Sequence, residues 1–356
     1  MKTKKIALTL LFIMLMMTIL IGCGSNDPAS PAEPAEPITE TEEAIEEEVA
    51  EEEPIEEIHI RLANETNMPH LQSQWSEIFK EIVESESNGQ ISVDIYHGGQ
   101  LGNQREMFEQ ASLNAVQIAL GSSSVVELES EFAVFEFPFI FRDRDHIYKV
   151  LDGPIMDQLS DQLAASNRLR VLSALENGFR QITNNIRPIE KPEDLEGIKL
   201  RVPQNTLRID TFNALGASST PIAFTELFSA MQQNIVDGQE NPLATIDTGS
   251  YDEVQQYLSI SNHVYSPAYA LVNAEFYDGL SERAKSILDD AAYQATIEIR
   301  NLGEQADQET VDKLVERGME VNNVDTQAFV EALENTVWKD YEDELGDLIQ
   351  QIVETN

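Results

Sequence analysis

The chain has 356 residues, 42% of them hydrophobic, which is enough for two core-bearing lobes. Its net charge of −41 repels nucleic acid and anionic surfaces, so no nucleic acid partner is expected, and a basic residue meant for an anionic ligand has to act locally in a sheltered cleft. The single cysteine excludes an internal disulfide and a cysteine-based metal site.

At the start of the chain, Lys2, Lys4 and Lys5 precede an apolar run over 6–21, the charge and hydropathy pattern of a signal peptide. The run is short for a membrane-spanning helix and is followed by an acidic stretch rather than a basic stop. Leu20-Ile21-Gly22-Cys23 resembles the bacterial lipobox. That resemblance implies that 1–22 is a lipoprotein signal peptide and that Cys23 is lipidated, anchoring the protein to the outer face of the cell membrane. Residues 23–57 are rich in Pro, Ala and Glu and read as a disordered acidic tether. Residues 1–57 hold three lysines and fourteen acidic residues, which leaves a net charge of −30 on 58–356.

The folded part is expected from Ile58. Residues 59–64 read as a strand, 71–85 as a helix with an apolar stripe at Leu71, Trp75, Ile78, Phe79 and Ile82, and 91–96 as a second strand. Gly98-Gly99-Gln100-Leu101-Gly102 precedes a helix through Met107 and Phe108; its spacing is not that of a dinucleotide-binding loop. A short strand over 116–120 ends in Gly121-Ser122-Ser123-Ser124. Phe135, Phe137, Phe139 and Phe141 alternate and read as a core or inter-lobe wall, with ligand stacking as the other use. Helices over 144–151 and 154–166 precede strands over 168–174 and 178–184. Arg180 lies inside the second of these strands, so it is either in an internal ion pair or aimed at an anionic ligand.

The run 197–242 is the most informative. Residues 198–202 alternate apolar and basic, so Leu200 and Val202 can face a core while Lys199 and Arg201 point away, and Pro203 ends the strand. A helix follows through Leu207, Phe212 and Leu215 to Gly216, then a strand-like piece over 219–223 and a helix through Leu227 and Met231. A turn at Asp237-Gly238 precedes Glu240-Asn241-Pro242. Ligands of open α/β folds sit at such strand ends, and an arginine there is a fork for a carboxylate. Further on, 243–250 reads as helix and 257–260 and 268–273 as strands, with Tyr269 either a ligand hydroxyl or an aromatic of the sheet. A long helical region runs to about Arg317, followed by a short strand over 319–321 and a turn at Asn322-Asn323. A terminal helix is expected along Phe329, Leu333, Val337, Tyr341 and Leu345.

Catalytic and metal motifs are absent: there is no G-x-S-x-G, P-loop, H-E-x-x-H or calcium loop, and the five histidines are not clustered. A binding protein is expected, not an enzyme, with no catalytic residue, cofactor or metal.

KLRVP at 199–203, STPIAFTEL at 219–227 and VDGQENP at 236–242 resemble the solute-binding receptors of tripartite ATP-independent periplasmic (TRAP) transporters, the DctP family. The resemblance extends to Leu62-Ala63-Asn64, GGQLG at 98–102, Phe137-Pro138-Phe139, Leu151-Asp152-Gly153-Pro154 and Gly178-Phe179-Arg180. It implies an α/β, two-lobed periplasmic-binding-protein (Venus-flytrap) fold with crossing strands and a long hinge-spanning helix. The lobes are placed at 58–180 with 265–290 and at 181–264, and 291–356 is expected to supply helices packing across them. The family implies a small organic acid as ligand, TRAP membrane permease subunits driven by a sodium gradient as partners, and membrane contact through the N-terminal lipid only; a monomer is expected. By position, Arg201 corresponds to the arginine that grips the ligand carboxylate, Arg180 to the second cleft arginine, Phe224 to the aromatic beside the ligand, Asn241 to the amide donor and Asn64 to a first-lobe contact. Asn64, the segment 118–124 and Tyr269 are expected to select the body of the ligand, with sugar acids ahead of C4-dicarboxylates and 2-oxo acids. Presentation of the ligand to a membrane sensor, without transport, is the alternative use of the same domain.

Overall fold

A computed structural model describes residues 55–355 of the chain; the signal peptide, Cys23 and nearly all of the acidic tether lie outside the described residues. In chain order the elements are β1 (Ile58–Ala63), α1 (Leu71–Glu86), β2 (Ile91–Tyr96), α2 (Gln104–Ser112), β3 (Ile118–Gly121), α3 (Arg144–Leu151), α4 (Pro154–Asn167), β4 (Leu169–Leu175) and β5 (Arg180–Asn184). They continue with β6 (Lys199–Val202), α5 (Thr206–Ala214), β7 (Ser218–Pro221), α6 (Leu227–Gln232), β8 (Gly238–Pro242), α7 (Leu243–Thr248), β9 (Tyr257–Ile260), β10 (Ala268–Asn273) and α8 (Ala274–Asp278). The last elements are α9 (Glu282–Glu316), β11 (Glu320–Asn323), α10 (Thr326–Glu334), α11 (Val337–Asp340) and α12 (Glu342–Glu354).

Two mixed sheets result, in the orders β2-β1-β3-β10-β4 and β11-β9-β5-β8-β6-β7. The chain crosses from the first sheet to the second between β4 and β5 and returns between β9 and β10. The two crossings meet in an antiparallel bridge between Phe179 and Tyr265. Helix α9 has 35 residues, a length of about 50 Å at 1.5 Å per residue. Ala284, Leu288, Ala291 and Ile299 pack it into the core of the first sheet with Trp75 and Phe79 of α1. Leu314, near its end, enters the core of Leu227, Ile246 and Leu258 under the second sheet. This is the expected two-lobed fold with crossing strands and a helix that spans both parts.

Helix starts follow local chemistry. Asn103 caps α2 in a reciprocal capping box with Glu106, and Asn205 and Ser281 accept from the third helical N–H of α5 and α9. Three local expectations change. The phenylalanine run is a 3-10 helix, Ser130–Glu136, rather than an alternating segment. Phe132, Phe135 and Phe137 are fully buried in the core that joins the two sheets, where Phe132 meets Phe135 and Tyr269 edge-on. The rings are a wall: packing large apolar side chains against several elements outweighs two-residue alternation. Asn322 and Asn323 belong to β11 rather than to a turn, because β9 offers a parallel edge for them. The terminal helix is divided into α10, α11 and α12, yet Phe329, Leu333, Val337 and Leu345 still enter one core.

Candidate functional site

The sheets face each other across a small, largely enclosed cavity of about 380 Å³, its open mouth included. Glu65, Thr66, His70, Gln72, Gln104, Ser122 and Ser123 line it from the side of the first sheet, and Arg180, Arg201, Pro203, Phe224, Asn241 and Thr245 from the side of the second; Asn177 comes from the crossing segment. A contiguous recess is lined by Glu65, Gln104, Ser124, Arg201 and Phe224. Its position outside strand ends, between two sheets, is where an α/β fold leaves backbone and side-chain donors free for a ligand.

Arg201 lies in the interior of β6, and neighbouring strands bring the other two residues to it. Strand β8 pairs with β6 through Arg201 opposite Gln239 and with β5 through Asn241 opposite Gln181. Arg180, Arg201 and Asn241 thereby converge although they are far apart in the chain. Phe224 follows β7 and opens a short 3-10 turn, half-buried against the cavity. The chain therefore brings four of the expected ligand contacts together.

The two arginines differ in their company. Arg180 Nε and Nη2 donate to the carboxylate of Glu240, and Nη2 also donates to Asn241 Oδ1 at 3.0 Å. Both readings of Arg180 left open by its strand pattern hold at once: it is held by an internal ion pair and it lines the cavity. Arg201 is 2% exposed, and its one hydrogen bond is from Nε to the carbonyl of Ile222 at 2.9 Å. It forms no ion pair with any described carboxylate, and burial lowers its pKa to about 10, with nearby Arg180 adding to the effect. A buried guanidinium with most of its donors free toward a cavity is a preformed site for an anion.

Beneath the arginines lies a buried ionic network that sequence reading did not find. Glu240 also accepts from Arg208 Nη1 at 2.8 Å and lies 3.0 Å from His263 Nε2. Arg208 Nη2 donates to Glu136 at 2.9 Å, and Glu136 accepts from Ser123, Asn205 and Ser266. Despite the burial of its carboxylate, Arg180 and Arg208 hold Glu240 well below the ordinary range. Burial pushes His263 down to about 4. A charged residue inside the strand-like VDGQENP was the available signal for Glu240, by the same logic that singled out Arg180.

Asn64 and Tyr269 are corrected: neither lines the cavity. The Asn64 amide is spent inside the first lobe, with Nδ2 donating to Ser76 Oγ at 3.0 Å and Oδ1 accepting from the Thr66 N–H at 3.1 Å. Tyr269 is fully buried in β10 between β3 and β4, where neighbouring strands and Phe132 claim its ring. The next residue after Asn64 does reach the cavity. Glu65 is 6% exposed, accepts from Gln104 Nε2, and is raised to about 7 by burial, against the opposing pull of Gln104 and Arg201. Across the cavity, His70 Nε2 lies 3.1 Å from Thr245 Oγ1, joining the loop after β1 to α7. Burial lowers His70 to about 4, so it is neutral there at pH 7. Among the described residues no group of His, Cys, Asp and Glu is arranged to hold a metal ion.

Residues 62–344 match the family model of the bacterial extracellular solute-binding proteins, family 7 (DctP). A solute-binding protein of Verminephrobacter eiseniae is 36% identical over 257 residues, covering 72% of this chain and 76% of the relative. Among solved structures, the sugar acid binding protein of Advenella mimigardefordensis in complex with galactonate has a TM-score of 0.81 and 33% identity, covering 85% of this chain and 98% of that one. A TRAP periplasmic solute-binding protein of Polaromonas bound to D-erythronate has a TM-score of 0.81 and 31% identity, covering 84% and 99%. The chain belongs to the DctP family: it is an extracytoplasmic solute-binding receptor of the TRAP type, and not an enzyme.

Proposed function

We propose that the protein captures a small organic acid, a sugar acid rather than a C4-dicarboxylate or 2-oxo acid, and delivers it to a sodium-coupled TRAP permease from a lipid anchor at Cys23. In this reading 58–180 with 265–290 and 181–264 act as lobes that close on the ligand as a monomer. The observation that carries the reading is Arg201: buried, bonded once to a backbone carbonyl and without a carboxylate partner. A planar carboxylate fits its fork in two parallel hydrogen bonds, and exclusion of water strengthens both. Arg180, fixed by Glu240 and Asn241, adds positive charge beside it. The remaining N–H of Asn241 and the face of Phe224 complete the wall around the acid group. The galactonate and D-erythronate complexes of relatives favour a hydroxylated acid.

Thermal-shift screening against aldonates, uronates, succinate and pyruvate tests this, because a ligand that binds only the folded form raises its apparent stability. A sugar acid giving the largest shift supports the reading. No shift with any organic acid, or binding undiminished in Arg201→Ala, ends it. Sodium-dependent uptake that requires both this protein and a permease pair separates transport from presentation to a sensor.

A further inference from the structure

We propose that Glu65 sets the ligand class of this site: its carboxylate receives hydroxyl groups on the body of a monocarboxylic acid and turns away a second carboxylate. The proposal rests on the organic-acid reading above and deepens it.

The charges around the cavity carry the argument. Three ionised side chains line it or its recess: Arg180, Arg201 and Glu65. The ion pair with Glu240 already compensates Arg180. Arg201 alone is uncompensated, so the site holds one surplus positive charge in a desolvated place and matches one carboxylate. A dicarboxylate brings a second negative charge with no second free cation to meet it. Glu65, on the wall built from the first sheet, adds like-charge repulsion that the low local dielectric enlarges.

Glu65 is also set up to accept. Gln104 Oε1 takes the backbone N–H of Ser122 at 2.9 Å, which fixes the Gln104 amide so that Nε2 points at Glu65 Oε1. Glu65 Oε2 has no protein donor and retains access to the cavity. An ionised carboxylate accepts only, so its natural partners are hydroxyl groups of the ligand. Thr66, Gln72, Ser122 and Thr245 on the same walls supply further neutral polar groups, which suit a polyhydroxylated body and give nothing to a second carboxylate.

This arrangement makes selectivity depend on pH. Glu65 titrates near 7. The groups facing it do not change charge over the same interval: Arg201 titrates at about 10 and His70 at about 4. Burial raises Tyr251 above its ordinary value, Arg180 stays a guanidinium, and Gln104 is neutral. In acid Glu65 becomes a neutral donor, and the objection to a second carboxylate disappears.

The test is calorimetric titration of the protein and its Glu65→Gln variant with galactonate and with succinate, at about pH 5.5 and about pH 8.5, on either side of the Glu65 midpoint. The parent is expected to prefer galactonate at the higher pH and to lose at least about tenfold of that preference at the lower one, a change of about 1.4 kcal/mol. Glu65→Gln is expected to have the reduced preference at both. A preference ratio unchanged by the substitution, a variant that keeps the parent's pH dependence, or equal weakening of both acids overturns the proposal. The last of these marks a merely structural Glu65. Binding of neither acid by the parent instead rejects the organic-acid reading, and with it the role of Glu65. Arg201→Ala, run in parallel, tests the carboxylate fork independently of Glu65.

Discussion

Arg201 and Arg208 are both buried, one on β6 and the other on the helix that follows, and their surroundings assign them opposite jobs. Arg208 donates to Glu136 and Glu240, so its removal strands two buried carboxylates. Arg208→Met is expected to lower unfolding free energy by about 3–5 kcal/mol, the usual cost of breaking a buried charge network from one side. Arg201 has no such partner, and taking its unpaired charge out of the interior is expected to leave stability unchanged or raise it by about 1 kcal/mol. Arg201→Met should therefore abolish acid binding without loss of fold. Urea denaturation of both variants checks the contrast, and equal destabilisation would show that Arg201 is a structural cation too. Part of this was legible beforehand. An arginine at a strand position before a proline marks Arg201, but the alternation says only which way a side chain points. It does not say whether a carboxylate waits there.

At the scale of elements, the crossing segment and α9 meet at Glu176. Its carboxylate accepts from Arg144 at 3.1 Å, Tyr148 at 2.7 Å and Tyr265 at 2.8 Å, tying α3 and both crossings together. Gly303, inside α9, lies against the Glu176 side chain, and a methyl group there would collide with its Cγ. Gly303→Ala is expected to destabilise by about 1–3 kcal/mol through overpacking, although alanine in an open helix gains about 1 kcal/mol over glycine. A melting temperature at or above the parent's would mean that α9 and the crossings are not held by this contact. The bond between His70 and Thr245 is the matching device at the cavity, joining elements of the two sides. Thr245→Val is expected to weaken acid binding several-fold, in line with about 1 kcal/mol for one hydrogen bond, with little change in the unfolding midpoint. Affinity equal to the parent's would remove this bond from the closure.

For the whole molecule, buried titratable groups shape stability against pH. His70 and His263 are held neutral to about 4 in the folded chain, against an ordinary value of 6.5. Their contribution is complete above pH 6.5 and is lost as pH falls from there toward 4, because the unfolded chain takes up the protons first. Glu65 has the opposite sign: raised from 4.5 to about 7, its folded form holds a proton that the unfolded chain releases, so it costs stability as pH rises through that interval. Two histidines outweigh one carboxyl by about one proton, or about 1.4 kcal/mol per pH unit between 6.5 and 4.5. Glu65→Gln removes the opposing group, and the decline on acidification should become clearly steeper than the parent's. Denaturation midpoints at several pH values measure both slopes, and identical slopes would refute the burial of Glu65 as a neutral acid. The acidic surface acts on rates instead. With −30 on residues 58–356, association of an anionic ligand should speed up as salt is raised from low ionic strength, since screening weakens the repulsion before the ligand reaches the cleft. Stopped-flow association rates that fall with salt would point to a local steering field stronger than the overall charge.

By itself the sequence determined the strand and helix order, the two-lobed family fold and the stretch that carries Arg201, Phe224 and Asn241. Those features are written in short-range periodicity, in turn residues and in three motifs at fixed separations. The tertiary structure alone decided which charges are paired. Arg180 meets Glu240 across 60 residues and Arg208 meets Glu136 across 72, and no local pattern reports such partners. It also withdrew Asn64 and Tyr269 from the site and put Glu65 there. At a strand end, one residue of offset separates an amide that ties a lobe together from a carboxyl that faces the ligand. Chain periodicity locates a strand end to within a residue or two, whereas a binding site depends on the direction of each side chain and on the charge across the gap.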